Sequence, residues 1–189
     1  MRRIIIWFSF IWISVLGHSQ INDSLKLEKA KNLHEKALDF HKKGNFIEAL
    51  NPLHQALNLL DTLNMKKTAL YAEYRHDLSI LYLLGKNDIY RFEKNIQEAI
   101  DIYYQVVGKS QEYYFSKQCY ADGLVMYSRS LGIGDSLDIN IALLSNAINL
   151  YESIPEYHVN KNYTYVKNEL MIYILSLLST KNCGRLKIK

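Results

Sequence analysis

AKNLHEKALDFHKKGNFIEALNPLHQALNLLD, residues 30–61, carries the pattern on which the fold turns. Leu33, Ala37 and Phe40 recur at intervals of three and four, with Leu38 at the edge of the same stripe, so they share one helix face. Lys43-Gly44-Asn45 interrupts the pattern with a residue that adopts a left-handed turn without penalty. A second stripe follows through Phe46, Ala49, Leu50, Leu53, Ala56, Leu57 and Leu60. The segment therefore predicts an amphipathic helical hairpin, with Pro52 near the first turn of its second helix, where a missing N–H costs least.

Outward from this hairpin the unit recurs. Leu70, Tyr74, Leu78, Leu81 and Tyr82 predict a helix ending at Leu84-Gly85-Lys86-Asn87, and Phe92, Ile96, Ala99, Ile100 and Tyr103 its partner. Tyr120, Leu124 and Tyr127 place a further helix up to Ser130, before a Gly132–Gly134 turn, and Ile139, Leu143, Leu144, Ala147, Leu150 and Tyr151 its partner. Ala56, Ala99 and Ala147 occupy equivalent places, 43 and 48 residues apart. A period of that length signals helical hairpins that bury their faces on one another. The expected organisation is all-α: hairpins over about 27–61, 68–107 and 112–152, then a helix over 160–179. That last helix is apolar nearly all round at Leu170–Leu175, so it caps the array, self-associates through 163–178, or precedes further chain.

Residues 30–61 resemble a tetratricopeptide repeat. Ala37 matches the small residue of the first helix, Phe40 its aromatic, Gly44-Asn45-Phe46 the turn, and Ala49 and Ala56 the small residues of the second helix. Leu33 replaces a large aromatic, Asp61 stands where the family often has Pro, and Phe92 stands where the second repeat expects a small residue, with Gly123 a candidate small residue in the third. The Val106–Tyr114 link is similar to that of kinesin-light-chain-type repeats, which often precede a CHAT-type protease or a sensor kinase. The resemblance implies antiparallel hairpins stacked as a right-handed superhelical solenoid over 20–180. It also implies a concave groove lined by Lys31, His34, Leu38, His41, Lys42, Glu73, His76 and Ile80, and a protein or peptide as partner. Leu38 stands where the family's carboxylate clamp needs Asn, which argues against recognition of a C-terminal carboxylate.

Residues 1–19 read as a signal peptide: Arg2 and Arg3, an apolar run from Ile4 to Leu16, and small residues before a cut at Ser19–Gln20. Thirteen residues span about 20 Å as a helix, against roughly 30 Å of bilayer core. The expectation is a periplasmic or secreted protein with no membrane span after cleavage. The formal charge of +4 does not point to nucleic acid. Without Arg2, Arg3 and the basic tail 181–189, 17 basic residues face 19 acidic ones between Gln20 and Thr180. Cys119 falls in an apolar helical pattern as a buried thiol and Cys183 in the polar tail. Two cysteines make no framework, though export would permit a bridge between them.

Neither catalysis nor a cofactor is indicated. His34 and His41 lie seven apart, whereas chelation from one helix uses four. His76 and Asp77 are adjacent on a helix and point about 100° apart, so they make no acid–base pair. Gly108-Lys109-Ser110 lacks the upstream Gly of a phosphate loop and is read as a helix–helix connection. Of 15 Tyr, Tyr71, Tyr74, Tyr82, Tyr103, Tyr120, Tyr127 and Tyr151 sit at core spacing, hydroxyl toward the edge. The function expected is a protein-binding scaffold. The alternatives are the sensing region of a larger protease or kinase, and carbohydrate presentation through exposed aromatics.

Overall fold

The computed structural model describes residues 2–132, 137–155 and 166–175, with side chains from Asn22 onward. Several expectations fall outside that range: the side chains of the leader, Cys183, the basic tail and both ends of the 160–179 helix. The described chain is all helical. Its elements are α1 (Arg2–Lys42), α2 (Phe46–Thr62), α3 (Ala69–Lys86), α4 (Ile89–Val107), α5 (Gln111–Leu131), α6 (Leu137–Glu152) and α7 (166–175). Successive helices pack in pairs, α1 with α2, α3 with α4 and α5 with α6, and each pair packs on the next. Among the described residues no helix is long and apolar enough to cross a membrane.

Local chemistry sets the boundaries. Gly44, Gly108 and Gly132 close helices with φ of 75°, 68° and 72°, a region that costs other residues a Cβ clash. Thr68, Asp88 and Ser110 cap α3, α4 and α5, each side-chain oxygen accepting the backbone N–H three residues on, from Tyr71, Arg91 and Tyr113. α3 ends where expected, running to Lys86 with Asn87 in the left-handed position at φ 50°. Gly85, in its last turn, is kept small by a neighbour, because a Cβ there would lie 3.1 Å from Phe46 Cβ and 3.3 Å from its carbonyl carbon. One local expectation needs correction. Pro52 is the seventh residue of α2, past the first turn, so it removes the N–H that would meet the Glu48 carbonyl.

The core is built from the recurrent stripes. Ala37, Ala49, Ala56, Ala99 and Ala147 are all buried and let paired backbones approach closely. One cluster joins α1 to α4 around Leu53, Leu60, Tyr71, Tyr74, Leu78 and Leu81. Another joins α5, α6 and α7 around Leu124, Leu144, Tyr151, Val166 and Tyr173. Between them Phe92, Ile96 and Ile100 of α4 meet α5. Phe92, which stands where the resemblance wants a small side chain, is accommodated from the other side. A Cβ added at Gly123 would fall 2.6 Å from Phe92 Cε1, so the ring occupies the space that Gly123 leaves empty.

α7 buries Val166 and Tyr173 and exposes Met171, Ile172, Ile174 and Leu175. Arg129 donates to both Glu169 carboxylate oxygens, and Lys167 pairs with Glu152 at 3.1 Å, so the last helix is fastened to both helices of the third hairpin.

Polar ties fix the register of α3 on α4. Arg75 donates to Asn95 Oδ1 at 2.7 Å and to Tyr71 Oη at 2.9 Å, and its Nε lies 3.3 Å from Glu98. Asn95 is buried and its Nδ2 donates to the Arg91 carbonyl. Arg75→Met keeps the aliphatic stem and strands Asn95 Oδ1, so it should cost about 1.5 kcal/mol of folding stability. Urea titration checks this, and a midpoint at the wild-type value would contradict it.

Candidate functional site

An open cleft of about 640 Å³ lies where α3, α4 and α5 meet. Its walls carry Glu73, His76 and Asp77 of α3, Tyr103 and Val107 of α4, and Glu112, Phe115 and Ser116 of α5. The helical repeat places these groups: Glu73, His76 and Asp77 share one face of α3 at three and four, and Glu112, Phe115 and Ser116 do the same on α5. Tyr103 enters from α4 because its ring is part of the first core cluster. Val107 is the last residue of α4, before the turn at Gly108, and stays half exposed at the rim.

Two histidines tie the helices that build the cleft. His34 of α1 is buried, stacks on Tyr74 at 4.0 Å, and its Nε2 lies 2.6 Å from Asp77 Oδ2. His76 is buried, shares a hydrogen bond from Nδ1 to Ser116 Oγ at 2.8 Å, and stacks under Phe115 at 5.3 Å. His76 and Asp77 thus face different partners, as expected from their adjacency. Among the described residues His76 Nε2 makes no hydrogen bond to protein, and Ser79 Oγ donates to the His76 carbonyl.

The electrostatics of the cleft are one-sided. Three carboxylates line it and, among its described walls, no Lys or Arg does. Burial raises the Glu73 carboxyl above its ordinary range; His34 opposes that rise and Asp77 adds to it. Tyr103 is held well above an ordinary phenol, first by burial and then by Glu73, Asp77 and Glu112. Tyr103 and the three carboxylates thus line the same cleft and act on one another through charge. Glu112, at the start of α5, is drawn down by hydrogen bonds from its backbone N–H and Ser110, so it remains ionised. Among the described residues no group of three or more His, Cys, Asp or Glu is placed to hold a metal ion. Cys119 is a free thiol whose pKa is pushed up to about 12 by burial, which keeps it protonated and unreactive.

Burial lowers the pKa of His76 below 6.5. The unfolded chain then binds a proton that the folded chain refuses, so stability rises with pH across that window. The His76 contribution is complete above about pH 6.5 and is lost as pH falls toward the folded pKa. His76→Asn retains a hydrogen-bonding group toward Ser116 but cannot titrate. The stability gap between about pH 7.5 and 5 should therefore be smaller in the variant than in the wild type. Equal gaps in paired urea titrations would contradict this.

The eight residues expected in the groove separate into several places. Glu73 and His76 line the cleft. His34 is one step behind it, holding Asp77. His41 packs edge-on to Phe46 at 5.5 Å, Leu38 and Ile80 are partly buried, and Lys31 and Lys42 are exposed on α1. Tyr103, Glu112 and Phe115 complete the cleft without having been singled out as binding residues. A signal for the ties was present: His34 to Asp77 spans 43 residues, the same step that separates Ala56 from Ala99. A scan against protein-family models finds no match to this chain, and a search of curated proteins finds none either.

Proposed function

We propose that the chain is an exported helical-repeat scaffold that binds a protein partner by holding one of its peptide segments in the α3–α5 cleft. The observation that carries this is the cleft: it is open, has exposed apolar surface at Val107 and Phe115, carboxylates along its walls, and buried polar residues His76, Tyr103 and Ser116 beneath them. Phe115 is 57% exposed although its ring stacks on His76, so apolar surface is held at the cleft mouth by a rigid support. The paired helices and recurrent buried alanines support a tetratricopeptide-like solenoid, in which such surfaces hold extended segments. A hydrolytic reading is less well supported, because His76, Asp77 and Ser116 do not form one relay. Ser116 meets His76, while Asp77 is engaged by His34.

Selection of displayed random peptides on the full chain tests the reading. Enriched peptides should lose binding to the Phe115→Ala variant, whose exposed side chain can be removed with little effect on folding. Peptides that bind both proteins equally, or no enrichment at all, would overturn it. Export rests on residues 1–19 and is tested by the N-terminus of the protein recovered from its natural source. A start at Gln20 is expected, and a start at Met1 would contradict cleavage.

A further inference from the structure

We propose that the α3–α5 cleft is a subsite for an arginine side chain of the bound segment. This deepens the scaffold reading and rests on it. Glu73, Asp77 and Glu112 supply negative charge from two helices; among the described walls there is no Lys or Arg, and His34, behind the wall, engages Asp77 alone. An acidic rim alone would be a solvated surface. Here two nearly buried polar residues, Tyr103 and His76, line the same cleft as the carboxylates and have hydrogen-bonding capacity left over. Tyr103 is 6% exposed, and its hydroxyl makes no hydrogen bond to protein among the described residues. His76 is also 6% exposed, with Nδ1 committed to Ser116 and Nε2 left over.

The shape of the acceptor array then decides the cation. The carboxylates are spread along the walls and make no metal-holding cluster. A compact ammonium satisfies one point, whereas a planar guanidinium presents five N–H groups in a fork and can meet separated acceptors together. Phe115, half exposed and stacked parallel to His76 at an interplanar angle of 21°, offers a flat face at the mouth. A guanidinium stacks on such a face with its N–H groups directed outward in plane, toward the acidic walls. A volume of about 640 Å³ exceeds one side chain, leaving room for the neighbouring residues of an extended segment.

The test is an NMR titration of the full chain with N-acetyl-arginine amide, with the neutral isostere N-acetyl-citrulline amide and with spermidine. The arginine amide should bind with a Kd on the order of millimolar, as suits one side chain, and should move the resonances of Tyr103, Phe115 and His76. Citrulline amide should bind at least about tenfold more weakly, because it keeps the shape and loses the charge. Glu73→Gln and Glu112→Gln, both at exposed positions where the variant remains folded, should each weaken arginine amide about fivefold. Equal binding of citrulline amide overturns the proposal, as do shifts confined to other surfaces, insensitivity to both variants, or spermidine binding without arginine binding. If arginine amide fails while displayed peptides still require Phe115, the subsite falls and the scaffold reading stands; if neither binds, both fall.

Discussion

Gly123→Ala should unfold the third hairpin from the second more effectively than any other single methyl addition in this chain. The added Cβ would fall 2.6 Å from Phe92 Cε1 and 2.9 Å from Cε2, and Phe92 is only 1% exposed, so the ring has no solvent to swing into. Its neighbours close the other routes: Tyr120 meets the ring edge-on at 5.8 Å, and Ile96 and Ile100 fill the same cluster. Overpacking of this kind costs about 3 kcal/mol, the upper end of the usual range, since neither helix can retreat without opening the cluster. For a domain of this size that is a fall of roughly 6–12 °C in Tm. Helix propensity works the other way, because Ala is about 1 kcal/mol better than Gly inside a helix. A variant more stable than wild type would therefore show that the contact is soft. Phe92→Leu on the Gly123→Ala background should restore part of the loss, although Phe92→Leu alone destabilises. Additive losses in that cycle would mean that the two residues do not fill one shared space.

Asp77→Ala should be the second large loss, about 2–3 kcal/mol, and it should also weaken the cleft. His34 is 7% exposed and its Nε2–H is satisfied by Asp77, so removing the carboxylate leaves a buried donor unpaired. The same bond is how α1 reaches across to α3, and it holds a carboxylate that lines the cleft. His34→Phe should preserve the stacking on Tyr74 and lose less stability, while freeing the Asp77 side chain to move. Thermal melts of both single variants and the double variant check the coupling. A double variant no less stable than Asp77→Ala alone is expected, and fully additive losses would contradict the tie.

The division between what was legible in the sequence and what was not follows from the range of each interaction. Helix pairing and burial of the recurrent alanines depend on spacings within one helix, and periodicity reports those directly. Gly44, Gly108 and Gly132 were legible because a positive φ needs a residue without a Cβ. The close packing of Gly85 on Phe46 was not legible, because a glycine kept small by a neighbouring element carries no mark of that neighbour in its own helix. The tyrosines divide similarly. Tyr71, Tyr74, Tyr82, Tyr103 and Tyr151 are buried at their core spacing, while Tyr120 and Tyr127 are only partly so.

The site was the harder part. His34 and His76 were placed on a groove-facing side, but each ring is engaged by a residue one repeat later, Asp77 and Ser116. Spacing within a helix cannot show a partner 40 or 43 residues away, although the repeat period could have directed the search there. Glu112 and Phe115 were missed because the third unit matches the repeat pattern weakly, and its inner face could not be assigned from that pattern. Tyr103 was read as core, which it is, yet it also lines the cleft that Glu73, Asp77 and Glu112 share.

The cleft is the centre of this account, and mapping a selected peptide onto the full chain by NMR tests it most directly. Perturbed residues should cluster on Glu73, His76, Tyr103 and Phe115, the walls shared by α3, α4 and α5. A map confined to the outer surfaces of α2 and α6, or to the exposed face of α7 at Met171 and Leu175, would contradict it.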